Sequence, residues 1–584
     1  MIVLGIYEGH NSSACIMEDG HILAAVQEER LCRTKNKYGF PYNAIWECLS
    51  ISKKTPKDIN YVALSSFNIP FFLSKIEMLS SFSVEDYVSL QKRYWKPYIE
   101  EGITHNLIEL FPEKEKEADF RYSDINSNVC EENFFETRIQ YIAHLLQVSE
   151  EQIIVIDHHY GHAMYALWTT PTTVKCKRLI ITADQEGDGL SLTMYKYENE
   201  RFQLLYKTDR FKLAKIYSNI TLLLGMKPNE HEYKMMGLAP YGKLFSAQKV
   251  IHFLSSLFHV EGHEFIVDVD FPDYYNYLRD HLEGVRFDDL ALGTQLFIEK
   301  LFIEWINNCI KEYGIRDISF SGGFFMNTKL IYKLQNCASI NNIHVHYAPG
   351  DESLSIGSCL ALLSDFQIPD FNTARVPYLG REYTHCEIRN ILKQTKFYYD
   401  ECSIHSLAKY LYDGKPIAIF TGRCEFGPRA LGHRSIFARL DVEGIVDLIN
   451  NQIKNRDFWM PFAPIILEED LLDCSSNDFS RFNTPEYMTT CFDILPDCRK
   501  KLFAGIHPKD NTARVQVVSP TTDDQFLRTL LLEYKKLNGI GALLNTSFNI
   551  HGEPIVYSPQ DAIDVFERSG LEMMYMEGYM LEKR

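Results

Sequence analysis

One arrangement of apolar and polar positions occurs twice along the chain. Met1 to Tyr7 is an apolar run that predicts a strand over Ile2 to Tyr7, entering the polar loop Gly9-His10-Asn11-Ser12-Ser13. Two strand-like segments follow, Ala14 to Met17 and His21 to Gln27, around the turn Glu18-Asp19-Gly20. The second occurrence starts with the apolar run Arg178 to Ala183 and continues through Asp184-Gln185-Glu186-Gly187-Asp188-Gly189. It closes with strands Leu190 to Lys196 and Arg201 to Tyr206. In between, residues 67–148 read as mostly helical and aromatic, with Tyr87, Tyr94, Trp95 and Tyr98 among them. That insertion is either a lid for a bulky acceptor or a packing element, and any single aromatic favours packing.

Further along, strand Ile315 to Phe320 enters Ser321-Gly322-Gly323-Phe324-Phe325-Met326-Asn327. Strand His344 to Tyr347 enters Ala348-Pro349-Gly350-Asp351-Glu352-Ser353, ahead of a small-residue helix from Ile356. Both loops lie at strand C-termini, where α/β folds place ligands. Periodicity lapses around Ser364 to Arg381, which divides the chain into a domain over 1–365, a linker over 366–380 and a second α/β domain over 381–584. A buried strand, a phosphate-type loop and a hairpin in two halves is the layout of the actin-like ATPase superfamily, each half a ribonuclease-H-like lobe. Chance recurrence of such units in an α/β chain explains the repeat, taken alone, equally well.

The strongest chemical signal is Gly422 to Ser435, which sets Arg423, Arg429 and Arg434 in a turn built on Gly422, Gly427, Pro428 and Gly432. Guanidinium forks match phosphate and carboxylate oxygens, and glycines admit a ligand close to backbone N–H groups. With a net charge of -18 the chain is acidic overall, so this is a local cationic pocket suited to a small phosphorylated ligand. The same acidity argues against a nucleic-acid partner. No apolar run reaches the length of a membrane span, and the start lacks the features of a signal peptide. The 14 cysteines form no C-x-x-C pair or regular framework, and most are expected as buried thiols in a cytoplasmic protein.

His158 and His162 in Asp157-His158-His159-Tyr160-Gly161-His162-Ala163 lie one turn apart if helical, a spacing that chelates metals. Asp184, Glu186, Asp188 and Asp351 offer oxygen ligands, with turn capping as the alternative. Glu232 and Lys234 either reach a cleft or begin a solvated helix, the simpler reading. Lys454 and Arg456 precede Trp459-Met460-Pro461-Phe462-Ala463-Pro464, while Arg514, Asn545, Ser547 and Asn549 add cations, amides and hydroxyls nearer the C-terminus.

With those residues in view, the chain resembles the O-carbamoyltransferase family of antibiotic and nodulation-factor pathways, nearly end to end. The likeness rests on Gly9-His10, Glu28-Glu29-Arg30 with Arg33 and Lys35, Gly39-Phe40-Pro41 and the His158/His162 pair. It continues through Met236-Gly237-Leu238-Ala239-Pro240-Tyr241-Gly242, Ser321-Gly322-Gly323, the arginine turn, Thr512-Ala513-Arg514-Val515-Gln516 and Asn545-Thr546-Ser547-Phe548-Asn549. The resemblance implies an N-terminal duplicated ribonuclease-H-like domain (actin-like, TsaD-like) followed by a YrdC-like α/β domain. The second would form carbamoyl adenylate and pyrophosphate from carbamoyl phosphate and ATP with Mg²⁺; the first would pass the carbamoyl group to a small-molecule hydroxyl.

By the same resemblance His158, His162 and Asp351 are metal ligands, with Fe(II) the implied ion and Zn or Mn alternatives. The family's third imidazole has no counterpart here, and Asp184 is the candidate in its place. His10 matches a histidine of the transfer site. Arg423, Arg429, Lys454 and Arg514 would neutralise phosphates, while Gly322, Gly323, Asn327, Arg434, Asn545, Ser547 and Asn549 would hold nucleotide. Met460 and His551 stand where relatives carry basic residues. The partners expected are the hydroxyl acceptor and a second copy in a homodimer, with no nucleic acid and no membrane. Competing readings are an actin-like kinase, a tRNA threonylcarbamoylation enzyme and a non-catalytic metabolite sensor.

Overall fold

In the computed structural model, described over residues 1–76, 78–114, 120–171, 177–269, 273–366, 376–477, 481 and 485–583, two five-stranded sheets repeat one strand order. The first contains β1 (Ile2–Tyr7), β2 (Ser13–Glu18), β3 (His21–Gln27), β4 (Tyr61–Ser65) and β5 (Ile153–Ile156), ordered β3-β2-β1-β4-β5. The second contains β6 (Arg178–Gly187), β7 (Leu190–Glu198), β8 (Arg201–Thr208), β9 (Asp317–Ser321) and β10 (Asn342–Val345), ordered β8-β7-β6-β9-β10. In each, the first strand is antiparallel to its hairpin partner and parallel to the fourth strand, which is parallel to the fifth. The repeat seen in the sequence is therefore a structural duplication. Glu8 lies just beyond β1, whereas Asp184 lies within β6, next to the paired Ala183.

Two helices tie the halves together. α1 (His158–Thr169) follows β5, and α2 (Leu354–Asp365) is its counterpart after β10. Each packs against the other half's sheet: α1 on β6 and β9, α2 on β1, β2 and β4; the helices also pack on one another. Small residues permit this approach, since a Cβ on Gly357 would overlap the carbonyl of Gly161 and one on Gly5 would overlap that of Ser355. Asp157 caps α1 by accepting from the Tyr160 N–H at 2.8 Å, which starts the helix at His158 and leaves His158 and His162 one turn apart on it.

The insertion over 67–148 is a series of short helical segments with one longer helix, Phe134–Leu146. Its aromatics share a small core with the rest of the first unit, where Phe82, Tyr87 and Phe111 pack with Ile76, Leu107, Leu222 and Tyr275. Tyr87 is thus a packing residue, whereas Tyr98 is exposed. These elements belong to a unit spanning Met1–Glu28, Asn36–Val345 and Pro349–Ala374.

A second unit, Glu29–Lys35, His346–Ala348 and Arg375–Arg584, has a mixed eight-stranded sheet. Its order is Tyr398–Glu401, Tyr579–Glu582, Met573–Met576, Ile417–Phe420, Arg434–Ala438, Ala542–Ser547, Ala463–Leu467 and Gln516–Val518. Successive residues of a strand point to opposite faces, and both faces are apolar here: Ile417 and Ile419 enter one core, Ala418 and Phe420 the other. Helices Ile404–Tyr412 and Gln525–Asn538 cover the first, His385–Leu392 and Pro559–Arg568 the second. This is the α/β class expected of the C-terminal part.

Of the expected linker 366–380, residues 367–375 lie outside the described residues. Leu379 and Gly380 already belong to the second unit, their amides donating to the Cys424 carbonyl at 3.1 and 3.0 Å. Cys474, at the end of helix Glu468–Cys474, and Cys498, at the end of the short helix Pro496–Cys498, form a disulfide within a core of the second unit, an exception to the expected thiols. Among the described residues no helix is long and apolar enough to cross a membrane.

Candidate functional site

His158 Nε2, His162 Nε2, Asp184 Oδ2 and Asp351 Oδ1 converge in the first unit, all within 4.8 Å of one another. His162 Nε2 lies 3.1 Å from Asp184 Oδ2 and 3.4 Å from Asp351 Oδ1, while His158 Nε2 is 3.7 Å from each. Ligands about 2.1 Å from one divalent ion would be separated by roughly 3.0–3.5 Å. The two imidazole nitrogens and Asp184 Oδ2 are buried and make no hydrogen bond, a costly state that a cation would relieve. The residues therefore fit a divalent metal. Burial opposes charge on His162, but the carboxylates of Asp184 and Asp351 raise its pKa to about 10, and in turn the histidines hold Asp184 low against burial. A metal would replace that proton.

Each ligand is aimed by a neighbour. His158 Nδ1 meets Ser66 Oγ and His162 Nδ1 meets Ser321 Oγ, both at 3.0 Å. Those bonds leave both Nε2 lone pairs facing the cluster. Tyr7 donates from its hydroxyl to Asp351 Oδ2 at 2.6 Å, leaving Oδ1 for the centre. Gly323 N–H donates to Asp184 Oδ1, and a Cβ on Gly322, whose φ is +110°, would overlap Ala183 O. Gly187 must likewise lack a side chain, because a Cβ there would overlap the His158 ring.

Several expectations change here. The Gly322-Gly323 turn shapes the Asp184 carboxylate, with the Gly323 amide engaged there rather than presented to a nucleotide phosphate. Asn327 caps helix Thr328–Gln335 through the Leu330 N–H at 3.0 Å and exchanges bonds with Gln295, so its side chain is occupied structurally. Asp188 accepts from the N–H groups of Phe67, Asn68 and His158, the capping alternative, and Glu186 is exposed. Glu232 begins the helix Glu232–Leu238 as expected, but its carboxyl is shielded from solvent: it accepts from the Asn229 N–H at 2.7 Å, and burial pushes it up to about 7. His159 is structural: Nδ1 meets Thr182 Oγ1 at 2.7 Å, and burial lowers its pKa to about 4. His10, half-buried, lies three residues beyond Tyr7, the residue that binds Asp351.

In the second unit the structure joins Lys454, Ser547 and Asn549. The buried ammonium donates to Ser547 Oγ at 3.0 Å and to Asn549 Oδ1 at 2.7 Å. Burial, then the nearby charges of Arg456 and Lys35, push its pKa well below the usual lysine range. Arg429 and Arg514 are half-buried. Arg423 donates to the carbonyls of Gly380 and Leu379 at 2.9 and 2.7 Å. Arg434, expected to hold nucleotide, is instead fully buried over the Phe420 ring and donates to Thr421 O at 2.6 Å. Asn545 is also turned inward, on Gln516 Oε1 and Ala430 O. The bare spacing of arginines does not distinguish a guanidinium that organises a turn from one that faces a ligand.

The sequence reading missed Glu425, whose Oε1 accepts from the N–H groups of Leu431, His433 and Arg434 and so fixes the arginine turn. It also missed the pair His433–Asp524, 3.1 Å apart, with Tyr378 stacked on the imidazole. Burial disfavours charge on His433, but Asp524 outweighs it and the pKa is raised. A raised folded-state value means stability fully present below the unfolded value of about 6.5 and lost as pH rises through the folded one. Thermal midpoints of the parent should accordingly decline above neutrality, and His433→Gln should flatten that decline. An unchanged slope in the variant would show that the pair contributes nothing.

Comparison with known proteins gives matches across the chain. A family model described as carbamoyltransferase N-terminus matches residues 2–360, and one described as carbamoyltransferase C-terminus matches residues 408–583. An uncharacterized protein of Synechocystis is 26% identical over 98% of this chain and 95% of its own length. The nodulation protein NolNO of Sinorhizobium fredii is 27% identical over 98% of this chain and 79% of its own. The nodulation protein NolO of Bradyrhizobium diazoefficiens is 28% identical over 74% of this chain and 79% of its own.

Proposed function

This chain belongs to the carbamoyltransferase family, and on that premise we propose that it carbamoylates a hydroxyl of a small-molecule natural product in two steps. In the first, carbamoyl phosphate, water and ATP give carbamoyl adenylate, phosphate and pyrophosphate. Carbamate, released from carbamoyl phosphate with inorganic phosphate, attacks the α-phosphorus of ATP. Lys454, Arg456, Arg429 and Arg514 of the second unit, with Mg²⁺ on the nucleotide, would balance the charge that develops on the phosphates. The reading is supported by the buried Lys454 ammonium, lodged between oxygens of Ser547 and Asn549 with cations around it, a setting that an anion would stabilise.

The second step belongs to the His158 cluster. A divalent metal held by His158, His162, Asp184 and Asp351, with Fe(II) the ion suggested by the resemblance, would supply Lewis acidity worth several kcal/mol. His10 would take the proton of the acceptor hydroxyl as its oxygen attacks the carbamoyl carbon, and AMP departs. The observation that carries this assignment is the convergence of four ligand atoms whose imidazole nitrogens have no other partner.

The decisive assay incubates the protein with ATP, carbamoyl phosphate and a panel of hydroxylated metabolites, with mass spectrometry to detect gain of one carbamoyl group. Phosphorylated products formed without carbamoyl phosphate would instead establish a kinase. His10→Asn should abolish acceptor carbamoylation while ATP–pyrophosphate exchange persists. Loss of both activities in a folded variant would remove His10 from the transfer step.

A further inference from the structure

Beyond the four ligands, a buried charge pair reaches from the helical insertion to the metal cluster. Arg138, on helix Phe134–Leu146, and Glu8, just beyond β1, are each 1% exposed. Arg138 Nε meets Glu8 Oε2 at 2.5 Å, and Tyr122, also from the insertion, donates to Glu8 Oε1 at 2.7 Å. The remaining guanidinium donors go to the main chain at the end of β4: NH1 to Phe67 O and NH2 to Ser66 O, both at 3.1 Å.

That stretch is the one that orients His158. Ser66 has φ of +70°, a left-handed conformation that a serine adopts only at a cost, and its hydroxyl bonds His158 Nδ1 at 3.0 Å. On the other side, Asp188 takes the N–H groups of Phe67 and Asn68 together with that of His158. Residues 66–68 are thus clamped through their carbonyls by Arg138 and through their amides by Asp188.

We propose that Arg138, held by Glu8 and Tyr122, is a positioning residue for the metal centre, setting the rotation of the His158 imidazole through the left-handed Ser66. The insertion then has a task besides any part in acceptor binding: it completes the outer support of the metal site. This rests on the metal reading of the His158 cluster, and the test separates the two.

Co(II) serves as the probe, its dissociation constant measured by competition with a chelator and its ligand field read from visible absorption. Arg138→Lys keeps a charge opposite Glu8 but cannot span both carbonyls. It should fold with a lowered thermal midpoint, weaken Co(II) binding about tenfold or more and alter the spectrum, the usual effect of losing an outer-shell partner. Glu8→Gln with Arg138→Met removes both charges at once and avoids a lone buried ion; it should show the same loss. Ser66→Gly keeps the left-handed backbone without the hydroxyl and should bind Co(II) as weakly. Parent-like affinity and spectrum in any folded member of the set would overturn the positioning role. Failure of the parent itself to bind Co(II) would instead sink the metal reading.

Discussion

Alanine at His162 should empty the metal centre and lower acceptor carbamoylation by about a thousandfold, while ATP–pyrophosphate exchange in the same preparation continues. The imidazole is fully buried, with Asp184 Oδ2 and Asp351 Oδ1 at 3.1 and 3.4 Å. Removing it takes away one of four ligands and leaves two carboxylates facing each other. A Lewis acid contributes several kcal/mol to such a transfer, and about 4 kcal/mol corresponds to roughly a thousandfold in rate. Elemental analysis per chain checks the first half of the expectation and a carbamoyl-transfer assay the second. Parent metal stoichiometry in the folded variant would return the cluster to a structural role. His159→Ala is the matched comparison, since its ring is committed to Thr182 Oγ1 and should leave bound metal unchanged.

Lys454→Met should have the opposite profile: ATP–pyrophosphate exchange falls by about a hundredfold or more, and carbamoyl adenylate supplied from outside is still consumed. Hydrogen bonds from a charged donor are worth roughly 1.5–3 kcal/mol, and electrostatic stabilisation of developing phosphate charge adds to that. Burial, Arg456 and Lys35 hold the Lys454 pKa well below the usual lysine range, and a bound anion would raise it. Normal exchange in Lys454→Met would show that adenylate formation does not use this lysine.

The duplicated sheets were legible because an apolar run, polar loop and hairpin leave a period-two signature that survives without knowledge of packing; β1 and β3 fall at the expected residues. The one-turn spacing of His158 and His162 was legible for a related reason, since helical spacing alone places residues four apart on one face. What could not be read was the direction of polar side chains once the chain had folded. Arg423 and Arg434 look alike on paper, yet the structure directs both to main-chain carbonyls. Glu425, Ser66 and Tyr7 act through contacts distant in the chain or within tight turns, which carry no periodic mark. The disulfide is invisible for the same reason.

The crossing of α1 and α2 also bears on how the first unit is assembled. Each half lends its terminal helix to the opposite sheet, in the manner of two hands exchanging a tool, so neither half encloses a finished interior by itself. The imidazole ligands ride on the helix lent by one half, whereas both carboxylates come from the other. Synthesis of residues 1–170 alone would therefore leave an apolar sheet face bare and a chelate lacking its anions. A metal held by this cluster would thus be captured only after the second half has been synthesised and the exchange is complete.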